Sequence, residues 1–326
     1  MTNPFNPADG AEVSSRLNPM VAGAVTAPGD NPTPRSIPER RRRGPWFWFR
    51  DTGWRHLIGL VMLVFAAFPL LYVLSASLNP TGTLVGSNTL FRTIDFGNYV
   101  ELFQLPQQPY AAWFINTMVI GLVAAAGTVF LGALAAYAFS RMRFRGRRVG
   151  LLTLLLVQMF PQILGVVAIF LLLSGIGEVF PQIGIGTQAG LILVYLGGAL
   201  GVNTYLMYGF FNTVPVSIDE AAKIDGASHA RIFFTIILRL VAPILAVVGL
   251  LSFIGTTSEF VIASIVLTDP QTQTLAVGLY QFVSQETSSN WTLFSAGAVL
   301  AAIPVMALFL YLKKYIIGGL TAGSVK

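Results

Sequence analysis

The chain contains no cysteine, which excludes disulfides, thiolate nucleophiles and cysteine-ligated metals. It carries little charge: 10% of its 326 residues are Asp, Glu, Lys or Arg, against about 25% in an ordinary soluble domain. So few charges cannot cover a water-exposed surface of this size, which argues against a soluble enzyme or a soluble nucleic-acid binder. Its two histidines, His56 and His229, lie too far apart in sequence to suggest metal-ligand spacing. There is no Gly-Lys-Ser/Thr loop to cradle phosphates and no aspartate dyad, so neither a nucleotide site nor an intramembrane enzyme is indicated. No cofactor or metal is expected within the chain.

What is abundant is apolar side chain: 54% of residues are hydrophobic, and mean hydropathy is +0.70. Apolar stretches recur near Leu57–Leu78, Trp113–Phe139, Val149–Leu173, Ala189–Phe211, Leu240–Leu267 and Trp291–Leu312. Each suits a bilayer core, which takes about 20 helical residues to cross. The expected fold is therefore all-α, a polytopic membrane protein of six spans. Pro161, Pro243 and Pro304 fall inside these stretches, where neighbouring helices can satisfy freed carbonyls. Gly121, Ala124, Ala125, Gly132, Ala133, Gly197, Gly198 and Gly201 favour close helix packing. An ion-driven carrier is disfavoured, because such carriers usually show paired repeats and several ionisable residues at midplane.

Residues 1–45 are rich in Pro, Gly, Asn and Ser and show no apolar period, so they read as a disordered tail ahead of a membrane body at 46–326. The first apolar run is too long for a signal-peptide core and lacks a clean small-residue cleavage site. The net charge of +6 could suggest a nucleic-acid partner, but its distribution says otherwise. With six spans, nineteen of the 20 basic residues fall on one side and only Arg92 on the other. The excess is sidedness. By the positive-inside rule, both termini are expected in the cytoplasm of a cell-membrane protein.

The loop 217–237 between the fourth and fifth spans carries the sharpest pattern. Ser217 followed by Glu220 reads as a capping box that starts a short helix. Gly226 supplies a left-handed stop, and Ser228 can cap the next helix. Helix, glycine bend and helix make a compact knuckle at the membrane surface. Glu259 is the one acid placed within a span, where an intramembrane carboxylate is a functional candidate by default. It can gate a path, hydrogen-bond a polar solute, or serve as a structural partner.

Glu220-Ala-Ala-Lys-Ile-Asp-Gly226, followed by Ala227 and Ser228, resembles the EAA loop of permease subunits of binding-protein-dependent ABC importers. Ala136-Tyr-Ala-Phe-Ser-Arg-Met-Arg-Phe144, Gln158-Met-Phe-Pro161, Val194-Tyr-Leu-Gly-Gly198, Thr274-Leu-Ala-Val-Gly278 and the terminal Gly318–Lys326 are similar to the smaller permease of maltose/maltodextrin importers. The resemblance runs from about Trp54 to Lys326. It implies a larger permease partner, two copies of a cytoplasmic ATPase that holds the ATP and Mg, and an extracytoplasmic sugar-binding protein. Glu220, Ala221, Ala222, Asp225, Gly226 and Ala227 would dock into the ATPase. Glu220 would pair with a basic residue there, and the alanines would allow close approach. Thr321, Ala322 and Gly323, in the cytoplasmic tail 313–326, would contact the ATPase as well. Ser284, Gln285, Glu286 and Thr287 would touch the binding protein, although the same loop also reads as a plain polar connection. One departure is Arg239, where the family usually has proline; Pro243 can take over the helix-start role.

Overall fold

The computed structural model describes residue 46 and residues 49–81, 89–284 and 290–322. The expected tail at 1–45 lies outside the described residues. Among those residues every regular element is helical, in agreement with the all-α expectation.

The helices follow in order: α1 Trp54–Ser77, α2 Gly97–Glu101, α3 Tyr110–Arg141, α4 Arg147–Gln158, α5 Val166–Val179, α6 Gln188–Ala199 and α7 Val202–Phe211. After them come α8 Val216–Ile224, α9 His229–Leu240, α10 Ala242–Ser258, α11 Val261–Val266, α12 Leu275–Ser284 and α13 Trp291–Ala322. Four helical stretches are long and apolar enough to span a bilayer: α1, α3, the run Gln162–Val179 and α13. Counting each of the bent pairs α6–α7 and α9–α10 as one span brings the number among the described residues to as many as six.

Three of the expected spans differ from the helices found; the fourth, expected at Ala189–Phe211, is broken into α6 and α7 with a 53° bend. The third was expected at Val149–Leu173, but Pro161 ends α4, and the apolar helix starts afresh at Gln162 and runs to Val179. Proline has no N–H to give and disfavours helical backbone at the residue before it, so the interruption is local chemistry. The fifth was expected at Leu240–Leu267, but Ser258 ends α10 and α11 is a separate short helix. Pro243 sits at the first turn of α10, next to a 79° bend from α9, and the exposed Arg239 lies just before it. The bend forms without the family proline.

The chain divides into two compact units, Met1–Met62 and Leu63–Lys326. In the first, the Arg55 guanidinium lies 5.7 Å from the Trp54 ring, and Leu57, Ile58, Leu60, Val61 and Met62 are all exposed. Bare apolar side chains on a helix are at home in lipid, which is as apolar as they are.

In the second unit, α3 is the axis. Its first turns place Tyr110 and Trp113 in a core with Leu102, Leu275, Leu279, Phe282 and Leu293. Its middle places Ile120 in a core with Leu173, Leu191, Ile262, Val266 and Val277. Its last turns place Ala133, Ala136 and Tyr137 in a core with Met207, Phe211, Ile232, Phe233 and Val248. Lipid gives no hydrophobic drive for helix association, so these contacts hold by shape, and the small residues Ala124, Ala133 and Ala136 admit neighbours closely.

Candidate functional site

Helix α8 begins with Val216, and Pro215 is the flanking residue at φ −57° and ψ 133°. Ser217 therefore lies inside the helix, and no side chain caps its start. The expected capping box does not form. Proline presets the helix entry two residues earlier, and Asp219 is committed elsewhere. The end of α8 matches expectation: Gly226 has φ +79°, its N–H donates to the Lys223 carbonyl at 2.9 Å, and the Ala227 N–H donates to the Ala222 carbonyl at 2.9 Å. This pair of bonds is a Schellman closure, and glycine takes the left-handed position at no steric cost. Ser228 then caps α9, its Oγ accepting the Arg231 N–H at 3.3 Å.

The knuckle has two faces. Ala222 is buried and belongs to the core with Tyr137, Phe211 and Phe233, and Ala227 packs against the same core. Glu220, Ala221, Lys223, Asp225 and Gly226 are exposed, and Ile224 is 87% exposed. Of the six residues assigned to docking, four face outward. Ala222 instead gives close packing inside this subunit.

Two residues outside that set fix the knuckle to the membrane body. Asp219 Oδ2 lies 2.9 Å from Arg141 Nε, and both side chains are about 95% buried (5% and 4% exposed). The contact is ionic rather than an aligned hydrogen bond, since neither Asp219 oxygen nor Arg141 Nε meets hydrogen-bond geometry with a described residue. Arg141 also donates through Nη2 to the Val214 carbonyl at 2.7 Å. Removing one member of such a pair strands a buried charge, which is costly. The pairing joins positions 78 residues apart in sequence; Arg141 falls within the motif Ala136–Phe144, but nothing local points to Asp219 as its partner.

Glu259 occupies a break rather than the middle of a helix. It terminates α10 with extended backbone, φ −71° and ψ 125°. Its carboxylate accepts the N–H groups of Ile262 at 2.8 Å and Ala263 at 2.9 Å, and the Tyr195 hydroxyl donates to it at 2.8 Å. It caps the start of α11 and anchors it to α6. A second break, between α6 and α7, is braced by Gln158: its Nε2 donates to the Gly198 carbonyl at 2.6 Å, and its Oε1 accepts the Val202 N–H at 2.6 Å. Backbone groups freed inside a membrane must be satisfied by the protein, and both side chains serve that end. Among the described residues, no group of three or more His, Asp or Glu is placed to hold a metal.

Residues 128–320 match the family described as "Binding-protein-dependent transport system inner membrane component". The chain belongs to that family. Along most of its length, this permease is also similar to individual members. It is 41% identical over 272 residues to the galactooligosaccharides transport system permease protein GanQ of Bacillus subtilis (strain 168), covering 83% of this chain and 94% of the relative. It is 37% identical over 281 residues to the maltose/maltodextrin transport system permease protein MalG of Escherichia coli (strain K12), covering 83% and 94%. A crystal structure of a bacterial ABC transporter involved in alginate import contains a chain of the same fold, with a TM-score of 0.69 at 23% identity, covering 82% of this chain and 97% of that one. The family is one of membrane transport components rather than enzymes, and it is an inner-membrane family.

The remaining assigned residues of this permease fall at the edges of what is described. Ser284 is the last residue of α12 and is exposed; Gln285, Glu286 and Thr287 lie outside the described residues. At the other end, α13 continues as helix to Ala322 and so includes Thr321 and Ala322, and Gly323 lies outside the described residues.

Proposed function

We propose that this chain is the smaller permease subunit of an ABC importer for oligosaccharides of the maltose/maltodextrin type, with both termini in the cytoplasm. The α8 knuckle docks on a cytoplasmic ATPase. Two ATPase copies, a larger permease and an extracytoplasmic sugar-binding protein complete the assembly. One observation carries this reading: α8 presents Glu220, Ala221 and Ile224 outward while Asp219 and Ala222 on its opposite face are locked into the body. An apolar anchor beside a carboxylate on a rigid support is what a docking hot spot requires. Motion imposed on such a support reaches the spans as a rigid-body shift.

A second cargo, galacto-oligosaccharide, is favoured by the similarity to GanQ. ATP hydrolysis occurs on the partner, with ATP and Mg bound there.

The test is sugar uptake and copurification with the ATPase in cells expressing the double variant Glu220→Lys, Gly226→Pro. Loss of both is expected; survival of both would sink the docking assignment. Stimulation of ATP hydrolysis by the loaded binding protein, measured against maltose, maltotriose, trehalose and galacto-oligosaccharides, names the cargo. No response to any of the four would sink the oligosaccharide reading.

A further inference from the structure

α3 is tied at both ends to the two places where this permease is expected to meet its partners. At the inner end Arg141 pairs with Asp219 of α8 at 2.9 Å and donates to the Val214 carbonyl at 2.7 Å. At the outer end the Trp113 indole N–H donates to the Pro270 carbonyl at 2.8 Å, and Asn116 Nδ2 donates to the carbonyls of Gln271 at 2.8 Å and Gln273 at 3.0 Å. Thr117 Oγ1 accepts the Leu275 N–H at 2.7 Å, the bond that begins α12. Trp113 also lies so close to Gly278 of α12 that an added Cβ would meet its ring at 2.1 Å. Asn116 is held in place in turn by Gln188, whose Nε2 donates to its Oδ1 at 2.7 Å.

From Asn116 to Arg141 the helix advances 25 positions, about 37 Å at 1.5 Å per residue. Among the described helices longer than 20 residues, α3 alone has no internal proline; α1 contains Pro69 and α13 contains Pro304. Other paths from α8 to the outer side run through breaks or bends. The covalent route passes through α9, a 79° bend and the interruption at Glu259.

We propose that α3 is a rigid strut, and that the Arg141–Asp219 pair is the joint through which α8 moves it, so that a displacement of the knuckle is delivered to the segment 270–275 and to α12. This rests on the docking function proposed for α8. Arg141 and Asp219 are positioning residues, not contacts for cargo or nucleotide. A buried ion pair suits a joint of this kind, because its members cannot part without stranding charge.

The test uses the absence of native cysteine. Val216 on α8 and Ile115 on α3 are both exposed, at 53% and 60%, and neither belongs to the docking set or the joint. Cysteines placed there carry spin labels, and their separation is measured in the full complex with the partner permease and ATPase. Measurements are made without nucleotide and after trapping with ATP and vanadate. The strut predicts a change of less than about 2 Å between the two states, within an ordinary helix adjustment. In Arg141→Met the distribution is expected to widen at least twofold while the ATPase still copurifies, and Arg141→Lys is expected to narrow it again. If Arg141→Met fails to assemble, Asp219→Asn keeps the shape, removes the charge and gives the same readout.

A wild-type shift of more than about 2 Å, beyond an ordinary helix adjustment, would overturn the strut. So would an unchanged distribution in whichever of the two joint variants assembles. Failure of the ATPase to copurify with the wild-type chain would instead overturn the docking function on which the strut depends.

Discussion

The Tyr195 hydroxyl donates to Glu259 at 2.8 Å, and the same carboxylate accepts two backbone N–H groups at the start of α11. Three bonds to one acid at a helix break describe a cap rather than a free charge. Replacing Glu259 by Ala leaves those donors without a partner and is expected to destabilise the subunit by about 1–3 kcal/mol. Glu259→Gln keeps one acceptor oxygen and should fall between that variant and the native chain while retaining uptake. Thermal unfolding of the purified complex, run beside uptake assays, checks this. Full stability with abolished transport in Glu259→Gln would instead place the acid on the cargo path.

Gln158 and Gly201 provide a second test, one that depends on non-additivity. A Cβ at Gly201 would lie 2.2 Å from the Gln158 side chain, which bridges the break between α6 and α7. Gly201→Ala should therefore displace Gln158 and cost about 1–3 kcal/mol through the backbone groups it strands. In a Gln158→Ala background the same glycine substitution should cost much less, because the collision is gone. Equal penalties in both backgrounds, measured by thermal unfolding, would show that Gln158 is not the brace.

The two faces of α8 separate docking from folding. Ile224 is 87% exposed, so Ile224→Ala should leave subunit stability within about 0.5 kcal/mol yet reduce ATPase copurification several-fold. Ala222 is buried against Tyr137 and Phe211, so Ala222→Leu should overpack that core and destabilise by about 1–3 kcal/mol. Thermal unfolding of the subunit and pull-down of the ATPase, applied to both variants, distinguish the effects.

At Gly226 the φ of +79° sets the expected order of substitutions. Gly226→Ala should cost about 1–2 kcal/mol, because an L side chain is strained in the left-handed region. Gly226→Asn should be milder, since asparagine tolerates that conformation. Circular dichroism melts of the two variants check the ranking.

Much of this was legible in the sequence. Long apolar runs mark most of the membrane helices, and Gly226, Ser228 and Pro243 are the bend, cap and helix start that their residue types predict. What stayed hidden depends on distance in space. Gln158 is an ordinary polar residue until α7 lies beside it, and Glu259 looks like a charge in lipid until α11 turns its N–H groups towards it. The Arg141–Asp219 pair leaves no local periodicity at all. Ser217 misleads for a related reason: the motif is present, but Pro215 starts the helix two residues sooner.

The central claim is that the outward face of α8 meets a cytoplasmic ATPase, and the absence of native cysteine makes it directly testable. A single cysteine at Ile224, coupled to a thiol-to-amine cross-linker in membranes of cells that actively import sugar, should capture the ATPase subunit. The same substitution at Ile115, near the N-terminal end of α3 and far along that helix from Arg141, should not. Transport-competent cells in which Ile224→Cys captures no ATPase, or in which Ile115→Cys captures it equally well, would contradict the account.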